Sequence, residues 1–259
     1  MRLKSVNASS GMGREFAKAI DAEEHLDEIW VIARRRERLE ALAGQLRTPV
    51  RVVALDLTKP ESFDTYRTLL EQEKPLVSTL CNVSGFGKFA LFEETLLQDC
   101  LDMIDLNDKA VVALTHSTLP YMARGSRIIN LDSLSAFQPV PYINVYGATK
   151  AFILNFSRAL NVELQPRGIR VLAVCPGWVN TEFFDHAVLA NRAVTYYNKI
   201  WQPEDVVKKA LRDYRHGKDV SILGFRIRAQ VLATKLLPTK LVMEIWMKQQ
   251  GHDKRKSVD

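Results

Sequence analysis

Apolar runs rich in β-branched residues alternate along this chain with segments of helical spacing, and no other feature constrains the fold as tightly. "EIWVIA" (28–33), "RVVALD" (51–56), "VSTLCNV" (77–83), "SRIINLDS" (126–133) and "IRVLAVCPG" (169–177) read as buried strands. Between them, "REFAKAIDAEE", "RERLEALAGQL", "ESFDTYRTLLEQ" and "VYGATKAFILNFSRALNVELQ" carry helical periodicity. Strict alternation of the two predicts an α/β fold, a doubly wound parallel sheet with helices on both faces. No repeat, low-complexity tract or linker divides the 259 residues, so a single domain over 1–259 is expected. After Gly217 the pattern offers one more strand and then basic amphipathic helix. This C-terminal extension, roughly 218–259, ends in a polar tail, "GHDKRKSVD", expected to fray.

Composition narrows the class. The apolar fraction of 47% and charged fraction of 25% are those of a soluble globular protein. No stretch reaches the roughly 18 apolar residues of a membrane span, and "MRLKSVN" lacks the apolar core of a signal peptide. A cytoplasmic protein is expected. Cys81, Cys100 and Cys175 are odd in number and far apart, which indicates neither a disulfide framework nor a metal site. The N-x-S triplets at Asn7 and Asn82 fall in loops with a better explanation than glycosylation. A net charge of +6 suits an anionic cofactor or substrate but is modest enough to be a solvated surface, and no nucleic-acid partner is expected.

"SVNASSGMGREF" (5–16) follows the first strand and opens a helix. A Rossmann-type glycine turn lies at that place, so that a pyrophosphate sits on the helix N-terminus. Gly11 and Gly13 supply the close phosphate approach and the helix packing. Asn7 stands where the first glycine is usual, and among residues with a side chain Asn tolerates left-handed backbone best. The reading is a strained but usable site, with Asn7, Ser9, Ser10, Gly11, Met12 and Gly13 around the phosphates. About 20 positions beyond the turn, where an acid would hold the ribose hydroxyls of NAD, stands Ala33, followed by Arg34, Arg35 and Arg36. Guanidinium groups are the chemistry a 2′-phosphate requires, so NADP(H) is favoured over NAD(H), with Arg34 and Arg35 as its ligands.

The segment "DSLSAFQPVPYINVYGATK" (132–150) places Tyr146 and Lys150 four apart at a helix start, on one face. Ser133 ends the preceding strand, 13 residues upstream of Tyr146. Ser133 with Tyr146-Gly-Ala-Thr-Lys150 resembles the active site of the short-chain dehydrogenase/reductase family, and the C-terminal segment is similar to those of its hydroxysteroid dehydrogenases and long-chain 3-oxoacyl reductases. Further marks fall in order: "ASSGMG" (8–13), Asp56, "NVSG" (82–85), "IDLN" ending at Asn107, and "CPGWVNTEFF" (175–184). The resemblance runs from about Val6 to Phe184. Val6 and Asn7 depart from the usual Thr-Gly, and Val83 and Ser84 from Asn-Ala.

The resemblance implies an oxidoreductase acting on CH–OH and C=O groups. A free tyrosine titrates near 10, so an ammonium that favours phenolate is needed for proton exchange at neutral pH, and Lys150 is placed to supply it. Tyr146 then serves as general acid or base, and Ser133 holds the substrate oxygen. By resemblance Lys150 also binds the nicotinamide ribose, Asn107 completes a proton relay, and Asp56, Leu57, Asn82, Val83, Ser84, Pro176, Gly177, Val179 and Thr181 border the cofactor.

The substrate region is expected between Ser133 and Tyr146 and after Thr181. Phe137, Tyr142, Trp178, Phe183 and Phe184 are its candidates, with Val140, Tyr196, Tyr197 and Trp201 nearby. Such a lining suits a bulky apolar ketone or alcohol, most concretely a hydroxysteroid or bile acid. A 3-oxoacyl thioester reductase and a non-catalytic nucleotide-binding regulator are the alternatives. The C-terminal helix reads as a lid or a dimer contact, with a membrane-surface helix as the lesser alternative. A homodimer or homotetramer is implied by the resemblance.

Overall fold

Side-chain alternation within the strands builds two cores, one on each face of the sheet. In the strand Glu28–Ala33, Ile29 and Val31 join one buried cluster while Trp30 and Ile32 join the other. Cys81 and Leu80, Ile129 and Ile128, and Leu172 and Val171 divide in the same way. A strand apolar on both faces is what a sheet between two helical layers requires.

The computed structural model describes residues 2–7, 11–23, 27–187 and 193–252. The first half runs β1 (Arg2–Asn7), α1 (Gly11–Glu23), β2 (Glu28–Ala33), α2 (Arg36–Ala43), β3 (Val50–Ala54), α3 (Pro60–Glu73) and β4 (Leu76–Asn82). Next comes α4 (Leu97–Ile104), which passes through a π-helical turn at Asp105–Lys109 into α5 (Ala110–Thr118), followed by β5 (Arg127–Leu131) and the long α6 (Asn144–Glu163). The remainder is β6 (Arg170–Val174), β7 (Trp178–Val179), α7 (Phe183–Ala187), β8 (Ile200–Trp201), α8 (Pro203–Arg215), β9 (Val220–Ser221), α9 (Phe225–Leu236) and α10 (Thr239–Gln249). Pro60 and Pro203 open α3 and α8, where the missing N–H costs no helical hydrogen bond.

Among the described residues, seven strands pair in parallel in the order β3-β2-β1-β4-β5-β6-β9. This is the expected doubly wound sheet in a single domain. The strand order reverses between β1 and β4, and in such sheets a ligand crevice opens at the carboxyl ends of the strands beside that reversal. All three cysteines are buried free thiols.

Two expectations about the chain's ends are modified. Asn7 is the last paired residue of β1, opposite Ile32, so it is a ladder residue rather than a left-handed turn. The positive φ of the described turn falls on Gly11, at +49°. Ser9 and Ser10 lie outside the described residues. At the other end, Gly251 and His252 are held: the His252 ring shares a 2.9 Å hydrogen bond with Ala193 O and stacks on Tyr142 at 4.3 Å. The rest of the tail, 253–259, lies outside the described residues.

Candidate active site

One continuous cleft of ≈ 860 Å³ runs across the carboxyl ends of the strands, from Arg34 and Arg35 at one end to Trp246 at the other. At its narrow middle, Gly11 opens α1 against the segment after β7. A Cβ on Gly11 would come within 3.0 Å of Thr181 Cβ and Cγ2, and its φ is positive, so glycine is required here on two counts.

The arginine end is strongly cationic. Arg34 and Arg35 are exposed on the cleft wall, whereas Arg36 turns away to pair with Glu40 at 3.6 Å. Partial burial of the guanidinium, and then the neighbouring charges of Arg38 and Arg34, lower the Arg35 pKa against the pull of Glu182. The nearby carboxylate, Glu182, is shared between Arg14 and Arg38 at 3.8 and 3.9 Å. Glu182 and Arg38 were not singled out in the sequence. Asp56 and Leu57 line the same end, with Asp56 Oδ1 accepting from Thr58 N and Oγ1 at 3.1 and 2.8 Å.

At the other end the proton-transfer residues converge from three elements. Ser133 leaves β5 in extended conformation and caps the following turn, accepting from Ser135 N at 3.2 Å. Its hydroxyl faces the phenol of Tyr146, in the first turn of α6, and acts to lower that phenol's pKa. Gly87 makes room for that ring, and Gly147 lets Val140 pack against the start of α6. A Cβ on Gly87 would lie 2.9 Å from Tyr146 Cδ2, and one on Gly147 would lie 2.6 Å from Val140 Cγ2. Leu134 N donates to Pro176 O at 3.0 Å, which ties the Ser133 turn to the Pro176–Thr181 wall, where Pro176, Gly177, Val179 and Thr181 all face the cleft.

Lys150 lies beneath, on the same face of α6 as Tyr146, and donates from Nζ to Leu131 O at 2.9 Å. Its ammonium is 5.6 Å from the centre of the Tyr146 ring. Around it are the buried carboxyl of Asp132 and the half-buried one of Asp108, each with a buried oxygen that lacks a hydrogen-bond partner. Burial raises both carboxyl groups to about 7, against the pull of Lys150. Burial also raises the Tyr146 phenol well above its ordinary value, Asp132 and Cys175 raise it further, and the Ser133 hydrogen bond lowers it. The expected depression of the tyrosine by Lys150 is therefore not what this geometry gives. The ammonium points at Leu131 O and is shared with Asp132 and Asp108, and the phenol stays protonated at neutral pH.

Asn107 sits on the π-helical turn, a widening of the helix that aims one residue inward. Its Oδ1 accepts from Phe86 N at 3.1 Å, and its Nδ2 donates to Phe86 O and Thr149 Oγ1, each at 3.0 Å. A Cβ on Gly85 would stand 2.9 Å from Asn107 Oδ1 and 3.5 Å from Lys150 Nζ, so the two side chains gather at that glycine. Asn107 thus holds the loop after β4 in place.

Of the other cofactor candidates, Met12, Val83 and Ser84 line the cleft. Asn82 faces inward, donating to Thr115 Oγ1 and, directly across the ladder, to Asn130 Oδ1 at 3.1 and 2.9 Å. Of the substrate candidates, Phe137, Trp178, Phe183 and Phe184 face the cleft, as do Val140 and Tyr196. The Phe183 ring lies 5.5 Å from that of Tyr146, and Trp178 packs on Phe89 and Tyr197 at 5.9 and 4.9 Å. Tyr142, at φ +68°, turns away to His252, and Trp201 packs under Gly224. The C-terminal segment, read as a lid or a dimer contact, brings Trp246 and Gln249 of α10 to the far wall, beside residues the sequence did not point to: Gln230, Val231 and Thr234 of α9, and Lys88 with Asp99 at 3.6 Å. Trp246 Nε1 donates to Pro141 O at 3.1 Å, which pins α10 over the opening.

This arrangement can deliver a proton from Tyr146 to an oxygen held by Ser133, inside an apolar chamber. Comparisons with known proteins agree. A family model described as short chain dehydrogenase matches residues 6–191. A sulfoacetaldehyde reductase of Chromohalobacter salexigens is 36% identical over 182 residues, which cover 68% of this chain and 71% of that protein. A short-chain dehydrogenase from Sphingobium yanoikuyae, solved in complex with NADPH, superposes with a TM-score of 0.79 at 27% identity, over 93% of this chain and 95% of that one. The bulky-bulky ketone specific alcohol dehydrogenase from Comamonas testosteroni superposes with a TM-score of 0.73 at 26% identity, over 100% and 99% of the two chains. The chain is an oxidoreductase of the short-chain dehydrogenase family.

Proposed function

We propose that this protein interconverts a bulky hydrophobic secondary alcohol and its ketone with NADP(H), a hydroxysteroid or bile acid being the substrate that suits the chamber best. The observation that carries the proposal is the cleft itself: two exposed arginines at one end, and a Ser133–Tyr146 pair walled by Phe137, Trp178, Phe183 and Phe184 at the other. The NADPH-bound and bulky-ketone relatives support the same reading.

The residues present fit the cofactor. Arg34 and Arg35 offer the forked donors a 2′-phosphate needs. Gly11 lines the cleft where α1 begins, and a helix N-terminus there suits a pyrophosphate. Met12, Leu57 and Val83 border the slot between them. When bound, the nicotinamide supplies or accepts the hydride.

The protein's own part is proton transfer. A half-buried, protonated Tyr146 on the cleft wall is primed to give its proton to a carbonyl oxygen as negative charge develops there. Ser133, which faces the phenol across the cleft wall, keeps that oxygen within reach and stabilises the developing charge. Lys150, with Asp132 and Asp108, sets the field beneath the pair. Because the neutral phenol is favoured, ketone reduction proceeds through the neutral range, whereas alcohol oxidation needs phenolate and gains rate as pH rises.

The test is turnover against a panel of hydroxysteroids, bile acids and 3-hydroxyacyl thioesters with NADP⁺, each paired with NAD⁺. Turnover of steroid alcohols alone supports the proposal. Turnover of the thioesters alone moves the chain to acyl reduction, and silence with every substrate despite tight NADPH binding favours a regulatory role.

A further inference from the structure

The C-terminal helices carry more apolar surface than their packing uses. On α9, Ile227 and Val231 are buried against the body, and Gln230, Val231 and Thr234 line the active cleft. On the opposite side Phe225, Ala229, Leu232 and Leu236 follow one another at the spacing of a single helical stripe. Phe225, Leu232 and Leu236 are 77%, 59% and 76% exposed. Leu237 at the elbow, and Leu241 and Ile245 four apart on α10, extend the exposed apolar surface. Helix α9 is therefore apolar on two opposite sides, and only one of them is covered.

The charge around this surface has one sign. Between Phe225 and Gln249 stand Arg226, Arg228, Lys235, Lys240 and Lys248 against Glu244 alone. Arg228 and Lys235 flank the stripe and line a second cleft of ≈ 290 Å³ with Arg158, Lys209 and Lys218. Within it, Asp213 holds Lys209 and Lys218, and Asp219 accepts from Arg158 at 2.9 Å. Among the described residues no carboxylate pairs with Arg228 or Lys235.

We infer that α9 and α10 form a docking surface for an anionic phospholipid membrane, with Phe225, Leu232 and Leu236 entering the acyl boundary while Arg228 and Lys235 meet headgroup phosphates. An exposed apolar stripe rimmed by cations is the chemistry of an interfacial helix. A second copy fits less well, because a two-fold contact would set the same five cations against their own copies. Since α9 is also a wall of the active cleft, the docked membrane lies one helix away from the opening. Delivery of a membrane-dissolved substrate to Tyr146 rests on the proposed function, whereas the docking surface stands without it.

The test is sedimentation of the purified full chain with vesicles of equal parts phosphatidylcholine and phosphatidylglycerol, and with phosphatidylcholine vesicles alone. Three proteins are compared: the wild type, the charge variant Arg228→Glu with Lys235→Glu, and the stripe variant Phe225→Ser, Leu232→Ser, Leu236→Ser. Circular dichroism melting confirms that the variants fold. Binding to the anionic vesicles should exceed that to the neutral ones by at least about tenfold, and the charge variant should lose as much. The stripe variant should lose about a hundredfold or more. Equal partition of all three proteins, or no sedimentation of the wild type, overturns the inference. So does a stripe variant that keeps its vesicle binding but drops to a smaller mass on gel filtration, which would give the stripe to a second copy. Vesicle binding together with silence toward every hydrophobic alcohol would uphold the docking surface and sink the substrate reading alone.

Discussion

The two ends of the cleft handle charge in opposite ways. At the arginine end Arg34 and Arg35 are exposed, and the nearby Glu182 carboxylate reaches Arg14 and Arg38 only at 3.8 and 3.9 Å. At the proton-transfer end Lys150, Asp132 and Asn107 are buried, and Lys150 and Asn107 are fixed by contacts of 2.9 to 3.1 Å. An exposed guanidinium keeps its hydration until a ligand displaces it, so it selects among ligands and contributes little to folding. A buried ammonium between buried carboxyls has no such freedom, and removing one partner leaves the others stranded. The first region is built for choice and the second for position.

Substitutions sharpen that contrast, beginning with the largest effect. Tyr146→Phe removes the proton donor and should cut turnover by about 10²- to 10⁴-fold. NADPH binding followed by fluorescence should stay within experimental scatter, and a mutant that retains substantial turnover would break the proton-transfer assignment. Lys150→Met should lower stability by about 1–3 kcal/mol, since Leu131 O loses its donor and Asp132 the positive charge beside it. Adding Asp132→Asn should restore part of the loss, and additive losses in denaturant melts would mean that the two residues are not coupled.

Asp132→Asn alone tests the buried carboxyl through pH. Its folded pKa is raised from 3.8 to about 7, so the folded state holds the proton more tightly than the unfolded chain. The associated stability is complete below about pH 4 and is lost as pH rises through about 7. The asparagine variant should lack this decline, and thermal melts across the window with identical slopes for variant and wild type would contradict the assignment.

At the other end, Arg34→Ala with Arg35→Ala should weaken NADPH by about tenfold or more while leaving NADH nearly untouched. Equal losses for both nucleotides would remove the 2′-phosphate argument. The smallest effect is expected from Asn7→Gly. Because Asn7 is paired in β1, glycine should cost about 0.5–1 kcal/mol of stability rather than improve cofactor binding. Tighter NADPH binding by that variant would restore the view of Asn7 as a strained turn residue.

Much of this was legible because local rules determine it. The two-faced apolar strands announced the layered sheet, and the spacing of Ser133, Tyr146 and Lys150 set them on a strand end and one helix face. What stayed hidden depends on direction or on distance along the chain. Asn82 and Val83 are neighbours, yet strand alternation sends Asn82 across the ladder to Asn130 and leaves Val83 on the cleft. Tyr142 belongs to an aromatic-rich segment, but its positive φ carries it to His252, a partner 110 positions away. Gln230 and Thr234 wall the cleft from α9, whose sequence gives no sign of which of its sides faces the site. Lys150 sits where it was expected, but the carboxyls that share its charge show only once the backbone is folded.

The most direct measurement is NADPH oxidation at neutral pH with a bulky steroid ketone, run beside NADH and beside a small hydrophilic ketone, for the wild type and Tyr146→Phe. The account predicts turnover with NADPH and the bulky ketone, little with NADH or the small ketone, and near-complete loss in the variant. Equal rates with the small ketone, or turnover that survives loss of the Tyr146 hydroxyl, would contradict it.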